Sequence, residues 1–553
     1  MVDAKFLIQE QRELRHDRTV VLSECQRIAE YLMPNMSNIT TRGFEGYRKT
    51  TKLFDTTGID AMDKLVSLIL GNATSAVVKW FSLKHSDPDI NLLPDVQYWM
   101  EDTSVRMFDA INASYYKTSG AEAIREIVGF GTGNLYLQEM DYEYNPKADF
   151  RGLMFQSVPM GSYTIQENGI GKLCYTNREF STTIQGVFER FPHGEYSQRT
   201  RKLHAEKPWQ RVTLMQDVRP NKRKMFDSTY WLLANQSPMS VNSSGINGDM
   251  EQCAENFFHE DPFMVTRWDK ASQEVWGFGR GHLAMPEVAT LNRARQLKLR
   301  QWALSVHPPI LAIDDGVIGT PRIIPGAINR IRMDGALTPF VTGANFQHDA
   351  IPENDSKLQI RQIFFTEQIL QFAPVAKTPP TATEIVQRME FLHQLLGPSI
   401  GRINDELLTP MLSRTFSLML RADAFLPMPE VLQQVGGRVD VVFEGPLARA
   451  QRSDELRAMG DTLAIVSNLQ AYQPNVVDNF DFDAWARDTA RITGLSRRYM
   501  RDPEQRDAKR ESDAQAQAQA QAAEAANTGS DTAKNMAAAQ ESMARSGINA
   551  GAE

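Results

Sequence analysis

Cysteine is scarce in this 553-residue chain. Cys25, Cys174 and Cys253 are an odd count with no close pair, so neither a disulfide framework nor a thiolate metal site is predicted, and a reducing compartment fits. Long apolar runs are missing too. The longest near the start, Leu65 to Leu70, falls far short of the ~20 residues that a bilayer-spanning helix needs. Lys5, Glu10, Arg12, Glu13, Arg15, His16, Asp17 and Arg18 crowd the first segment, which argues against a secretory leader and for a protein that stays in the cytoplasm until it assembles. Nor is there an excess of positive charge. Against 68 Asp and Glu stand 60 Lys and Arg, a formal net charge of −8, which argues against a protein that grips nucleic acid over its whole surface.

The signatures of common catalytic machinery are equally sparse. Gly171-Lys172 is followed by Leu173 and has Gln166 where a phosphate-binding loop needs glycine, so this is not an ATP-driven motor. Gly129-Phe-Gly-Thr-Gly133 and Gly277-Phe-Gly-Arg-Gly281 carry Asn134 and His282 at the place of the third glycine of a dinucleotide fingerprint, and read as tight turns. Asp478, Asp481 and Asp483 are interleaved by Phe480 and Phe482 with no glycine turn after them, which reads as an acidic loop over a helix start rather than a cation site. The nine histidines form no His-Glu-x-x-His pair and no Gly-x-Ser-x-Gly elbow occurs, so no catalytic residue, metal or cofactor is predicted.

What is present is an ordered succession of helical and strand patterns. An apolar content of 42% over this length supports about two to four subdomains. Helices are predicted over 1–34, ended by Pro34, and over about 58–70, 94–116 and 120–128. From 135 to 230 the pattern turns strand-like, with a short helix at 182–191 and a clear alternating run at 209–218. Ser237 to Asp249 reads as an exposed loop, and 455–500 as helical, broken near Pro474 and Gly494. Helices, then strands, then helices make an α+β chain, mainly helical.

The stretch from Ala284 to Ala424 carries the most information. A helix over 284–306 places Val288, Leu291, Leu299, Trp302 and Val306 on one stripe and ends at Pro308-Pro309. Arg293, Arg295, Lys298 and Arg300 oppose a single acid, Glu287, and Arg293 and Arg300 lie across from the stripe. Short runs at 310–313, 322–324 and 336–341, separated by Asp-Gly and Pro-Gly pairs, predict a small β module that also carries Arg322, Arg330 and Arg332. A returning helix over about 356–372 is apolar nearly all round and so needs neighbours on every side, from more of this chain or, preferably, from identical subunits. Ala373 to Pro380 breaks it. Thr381 with Glu384 forms a capping box for a long helix reaching 424, with kinks predicted at Gly397-Pro398 and Thr409-Pro410.

Together, Leu291-Asn292 with Pro308-Pro309, Thr381-Ala-Thr-Glu-Ile-Val-Gln-Arg388, Leu396-Gly-Pro398 with Arg402 and Glu406, and Glu444-Gly-Pro-Leu-Ala-Arg-Ala-Gln451 resemble the portal, or head-to-tail connector, proteins of short-tailed bacteriophages. The resemblance covers most of the chain. It implies a non-enzymatic ring, twelve-fold in that family, at one capsid vertex, built from wing, stem, clip and crown regions around a double-stranded DNA channel for packaging, retention and ejection. On that pattern 1–283 is a wing region, 284–306 the first stem helix, 307–352 the clip, 353–372 the second stem helix, 373–380 a tunnel loop, 381–424 a long wing helix, 425–504 the crown and 505–553 a tail. Pro374, Val375, Ala376, Lys377, Thr378 and Pro379 would line the constriction, Lys377 as its one charged residue. The basic residues 293, 295, 298, 300, 322, 330 and 332 could then face DNA phosphates, a neighbouring subunit or solvent. Implied partners are further copies of the chain, DNA, a terminase motor, capsid and scaffolding proteins, and tail adaptors. A low net charge suits a pore through which DNA must slide. Another head–tail ring adaptor is the nearest alternative, and a DNA-processing enzyme a more distant one.

The end of the chain differs in kind. Residues 514–526 hold eight alanines, four glutamines and one glutamate. Alanine favours helix, but strict Ala-Gln alternation supplies no coiled-coil seam, leaving either a mobile polar tail or a helix extending from the crown.

Overall fold

The computed structural model describes residues 4–40, 46, 49–76, 79–140, 150–222, 225–233, 250–270, 272–306, 310–312, 317–318, 330–332, 337–339, 350–367, 396–435, 439–443, 458–468, 480–493 and 503–548. Two compact units divide the chain at Arg449/Ala450.

In the first unit the predicted single N-terminal helix is two, α1 (Ala4–Asp17) and α2 (Thr19–Leu32). The break at Arg18 lets successive polar residues turn into a sheet. Gln11 donates to the Tyr175 hydroxyl at 2.6 Å, Arg15 pairs with Glu179 and Arg18 donates to the carbonyl of Tyr163. That sheet is an antiparallel meander of five strands, β4 (Tyr163–Glu167), β5 (Leu173–Thr183), β6 (Arg211–Pro220), β7 (Phe226–Leu233) and β8 (Met250–Phe258). The β5–β6 crossing carries α6 (Ile184–Arg190) and α7 (Gln198–Glu206), the latter unanticipated. Thr183 and Ser197 cap them by accepting the amides of Gly186 and Thr200.

The larger core gathers α2, α3 (Thr57–Ala73), α4 (Pro94–Ala113) and α5 (Tyr116–Phe130) around a three-stranded sheet, in which β2 (Thr132–Glu139) lies between β3 (Leu153–Ser157) and β9 (Phe263–Arg267). Strand β1 (Phe81–His85) pairs with β16 (Val439–Phe443), so 425–443, placed with the crown at the sequence level, belongs to the first unit.

The two glycine motifs are not independent turns. Gly131 closes α5 in the left-handed region, φ 81°, and a Cβ there would lie 2.4 Å from the amide nitrogen of Gly279. One on Gly277 would lie 2.1 Å from the Gly131 carbonyl oxygen, and one on Gly281 2.3 Å from that of Gly129. The Gly277 amide donates to Thr132 Oγ1 at 2.8 Å. Backbone packs directly on backbone, joining the end of α5 to the start of α8 (Arg280–Val306), and only glycine fits.

Beyond α8, β12 (Ile310–Ala312) pairs with β15 (Leu337–Pro339), and β13 (Val317–Ile318) with β14 (Arg330–Ile331). The run 322–324 lies outside the described residues. The returning helix α9 spans Ala350–Ile363, is interrupted by a turn at 364–365 where Phe365 takes φ 55°, and is helical again at 366–367, while 368–372 lie outside the described residues. Ile360 within it and Phe364 just after it are buried, and α9 packs on α8 and α3, so part of the cover its apolar sides require comes from this chain. Leu358 stays exposed.

Of the long helix to 424, residues 381–395, including the capping box, lie outside the described residues. The remainder is helical over 396–403, passes through a π-type segment at Asn404–Leu408, and continues as Thr409–Arg421. Pro410 brings no amide hydrogen, and the wider π turn just before it absorbs the loss. Ser237–Asp249 and Glu444–Gln451 are likewise outside the described residues.

In the second unit Asp481 accepts the amides of Asp483 and Ala484, both at 3.0 Å, and so starts the helix Phe482–Thr493, as the acidic-loop reading predicts. The tail forms a single helix, Pro503–Ile548, of 46 residues. Arg506 and Arg510 hold it to Asp483 at 3.0 and 2.6 Å.

Candidate subunit and DNA-channel interface

α8 is fixed at its start by the glycine joint and halfway along by Asn292. This buried side chain donates to the Val288 carbonyl at 2.9 Å, while its oxygen accepts the amides of Phe54 at 2.8 Å and Asp55 at 3.1 Å. Asp55 in turn accepts the Thr57 amide at the head of α3. Asn292 therefore ties α8 to the loop before α3, and burying it is affordable because each polar atom has a partner.

One turn further, Lys298 Nζ lies 3.1 Å from Glu353 on α9, and Arg295 lies 3.8 Å from both Glu353 and Asp55. Glu353 is nearly buried between the two cations. Arg295 and Lys298 are thus engaged within the chain, closing α8 onto α9. Arg293 and Arg300 are exposed; Arg293 reaches Gln296 on its own helix at 2.7 Å. Arg330 and Arg332 are exposed on and beside β14. Arg322 and the segment Pro374–Pro379 lie outside the described residues.

The apolar stripe predicted on α8 splits at its middle. Val288 and Leu291 are buried, whereas Leu299, Trp302 and Val306 are 48%, 61% and 71% exposed. Leu297 and Leu304 are exposed as well. At 100° per residue these two fall on the side opposite Leu299, Trp302 and Val306, with Arg293 and Arg300 flanking them. The end of α8 therefore presents two apolar faces that stay exposed among the described residues.

A second anchor joins the strands to the long helix. Glu406, in the π segment, accepts from Arg267 of β9 at 2.7 Å and from its amide at 2.9 Å, while Glu167 takes the other side of the guanidinium. Burial opposes the charge on Arg267, but the two carboxylates outweigh it and hold its pKa above the ordinary arginine value. Nearby, Arg414 is fully buried and donates to the carbonyls of Leu137 at 2.9 Å and Glu260 at 2.8 Å. Sequence reasoning named Asn292, Arg402 and Glu406 only as parts of motifs and missed Glu353, Asp55 and Arg267. A lone asparagine on an apolar stripe was the available signal; the acids are separated from their cations by dozens to hundreds of residues.

Among the described residues no group of three or more His, Cys, Asp or Glu side chains could hold a metal ion, and no helix is long and apolar enough to cross a membrane.

The model of the bacteriophage head to tail connecting protein family matches residues 4–500, and the chain belongs to that family, whose members are structural rather than enzymatic. Among its relatives are the portal protein of Salmonella phage epsilon15, 24% identical over 92% of this chain and 90% of that protein, and the probable portal protein of Bordetella phage BPP-1, 23% identical over 89% and 88%. The solved neck of a native gene transfer agent particle, computed with C12 symmetry, overlaps 78% of this chain and 94% of its own at 13% identity, with a TM-score of 0.30, too slight a likeness to argue from.

Proposed function

We propose that the chain is a portal, a closed ring of identical subunits at one capsid vertex through which double-stranded DNA is packaged, retained and ejected and to which tail proteins attach. The observation that carries the ring is the two-faced end of α8. One sticky face would give a two-fold dimer; two different faces on opposite sides of one helix fit a head-to-tail interface that repeats until it closes. Covering such side chains contributes about 1.5–3 kcal/mol each. Twelve copies are expected from the family pattern. In this reading α8 and 353–372 are the stem, 307–352 the clip, the first unit around them the wing with the long 381–424 helix, and the second unit most of the crown and the tail.

Arg293 and Arg300, unclaimed by acids among the described residues, are the members of the basic set best placed to meet phosphates or an adjacent copy. Contact with DNA would be sequence-independent and salt-sensitive. Pro374–Pro379 would form the constriction, with Lys377 repeated at one level around the ring. A separate terminase supplies the work of packaging, capsid and scaffolding proteins surround the wing, and tail adaptors meet the clip. The chain has no turnover of its own, and the ring is assembled in the host cytoplasm before it becomes part of the virion.

Mass photometry of the full-length protein at micromolar concentration is expected to find closed rings. A species near 62.4 kDa alone, with no rings on capsid assembly, overturns the proposal. Replacing 374–379 by a Gly/Ser linker is expected to leave rings intact and to lose retention of packaged DNA; normal retention would remove the constriction from the mechanism.

A further inference from the structure

The five-stranded sheet ends at β8, which pairs with β7 and, among the described residues, with no strand on its other side. Edge strands are commonly blunted with Lys or Pro, yet Met250–Phe258 has neither, and Phe257 is 61% exposed. The chain itself begins to cover this edge. The Glu195 amide donates to the Gln252 carbonyl at 3.3 Å, and the Ser197 hydroxyl reaches Glu251 at 2.6 Å. Alongside Ala254–Phe258, where that cover gives way to Pro192 and His193, lies a pocket of about 590 Å³. Phe191, Tyr230 and Phe258 give it aromatic walls, and Gln138 and Asn256 polar ones. Arg190 stands at its rim, 5.6 Å from the rings of both Phe191 and Tyr230, with no carboxylate partner among the described residues.

We propose that this groove binds an extended peptide segment of a partner protein, which adds to the sheet as a strand beside Ala254–Phe258, seats an aromatic side chain in the pocket and sets a carboxylate against Arg190. Main-chain pairing supplies affinity and the pocket with its cation supplies choice, as in other strand additions to a sheet edge. A second copy could offer only its own β8 edge, a two-fold pairing that would not repeat head-to-tail around a ring. At the other edge, β4 meets the N-terminal segment, with Arg18 on the Tyr163 carbonyl and Gln11 of α1 accepting from the Thr164 hydroxyl at 3.1 Å. The site is separate from α8 and does not depend on ring formation.

The probe is a fluorescent peptide of about eight residues, alternating Thr and Val with a central Phe and an adjacent Asp. Anisotropy with the full chain is expected to saturate. Methylating alternate peptide nitrogens, which removes the strand's donors, is expected to weaken binding by roughly tenfold or more. Arg190→Glu is expected to lose the Asp peptide and to prefer one with Lys in its place, while ring formation and melting temperature stay unchanged. No saturable binding, equal binding of the methylated peptide, or no change of preference in Arg190→Glu overturns the proposal. Unassembled chains that bind the peptide while rings exclude it would put a second copy in the groove, which also overturns the assigned partner.

Discussion

Glu126 is a buried residue whose charge state is decided by the fold. It lies on α5 with one carboxylate oxygen accepting the Met160 amide at 3.3 Å and the other without a hydrogen-bond partner. Burial pushes its pKa up to about 8, only partly offset by that amide. An unfolded glutamate titrates near ~4.3, so between there and about 8 the folded state holds the extra proton. The resulting stability is full at low pH and is lost as pH rises through that window. Glu126→Gln keeps the acceptor and cannot ionise, so its melting temperature is expected to fall less than the wild type's between about pH 5 and 8; parallel pH profiles would refute the assignment. The glycine joint gives a second residue-scale test. Gly279→Ala must push a Cβ to 2.4 Å from the Gly131 amide, and is expected to cost about 2 kcal/mol or more. Gly169→Ala, with nothing within 4 Å, is the control, expected within about 0.5 kcal/mol in a denaturant titration. The glycines themselves stand out in the sequence, but their pairing across 131 and 279 does not, because no local pattern reports a contact between distant backbones.

At the scale of the element, α8 separates what holds one copy together from what is left for another. Leu291 is 2% exposed, so Leu291→Ala is expected to destabilise the monomer by about 2–5 kcal/mol. Trp302 is 61% exposed, so Trp302→Asp is expected to prevent rings, read by mass photometry, while the unassembled chain melts as before. Intact rings in that variant would move the interface elsewhere. The 3.6-residue pattern placed this helix and its return, since both carry apolar residues at helical spacing. It did not show that the first half of the stripe is buried, where α8 packs on α2 and α5, while Leu299, Trp302 and Val306 in the second half stay exposed, because burial depends on partners far away in sequence. Similarly, the break at Phe365 follows no proline or glycine; tertiary packing around Ile360 and Phe364 coincides with it, and propensity alone continues the helix.

At the scale of the whole molecule, the second unit tests how much a long helix contributes. Arg506 and Arg510 fasten the tail helix to Asp483, whereas its described side chains beyond 513 are exposed. Deleting 514–553 spares both arginines and is expected to leave ring formation intact; truncated chains that stay single would give the tail a packing role. By itself the sequence determined the order of helices and strands, the lack of a phosphate loop or cysteine framework, and the family motifs, all of which are local in the chain or set by composition. The Ala-rich tail remained undecided between coil and helix, since alanine's preference and the missing seam point in different directions. Only the tertiary structure decided which basic residues are spent within the chain, as Arg295 and Lys298 are on Glu353, and which apolar ones remain for a neighbour. The physical reason is that charge neutralisation and burial are pairwise. They depend on which residues meet, and Asp55, Arg295 and Glu353 meet only once the chain has folded.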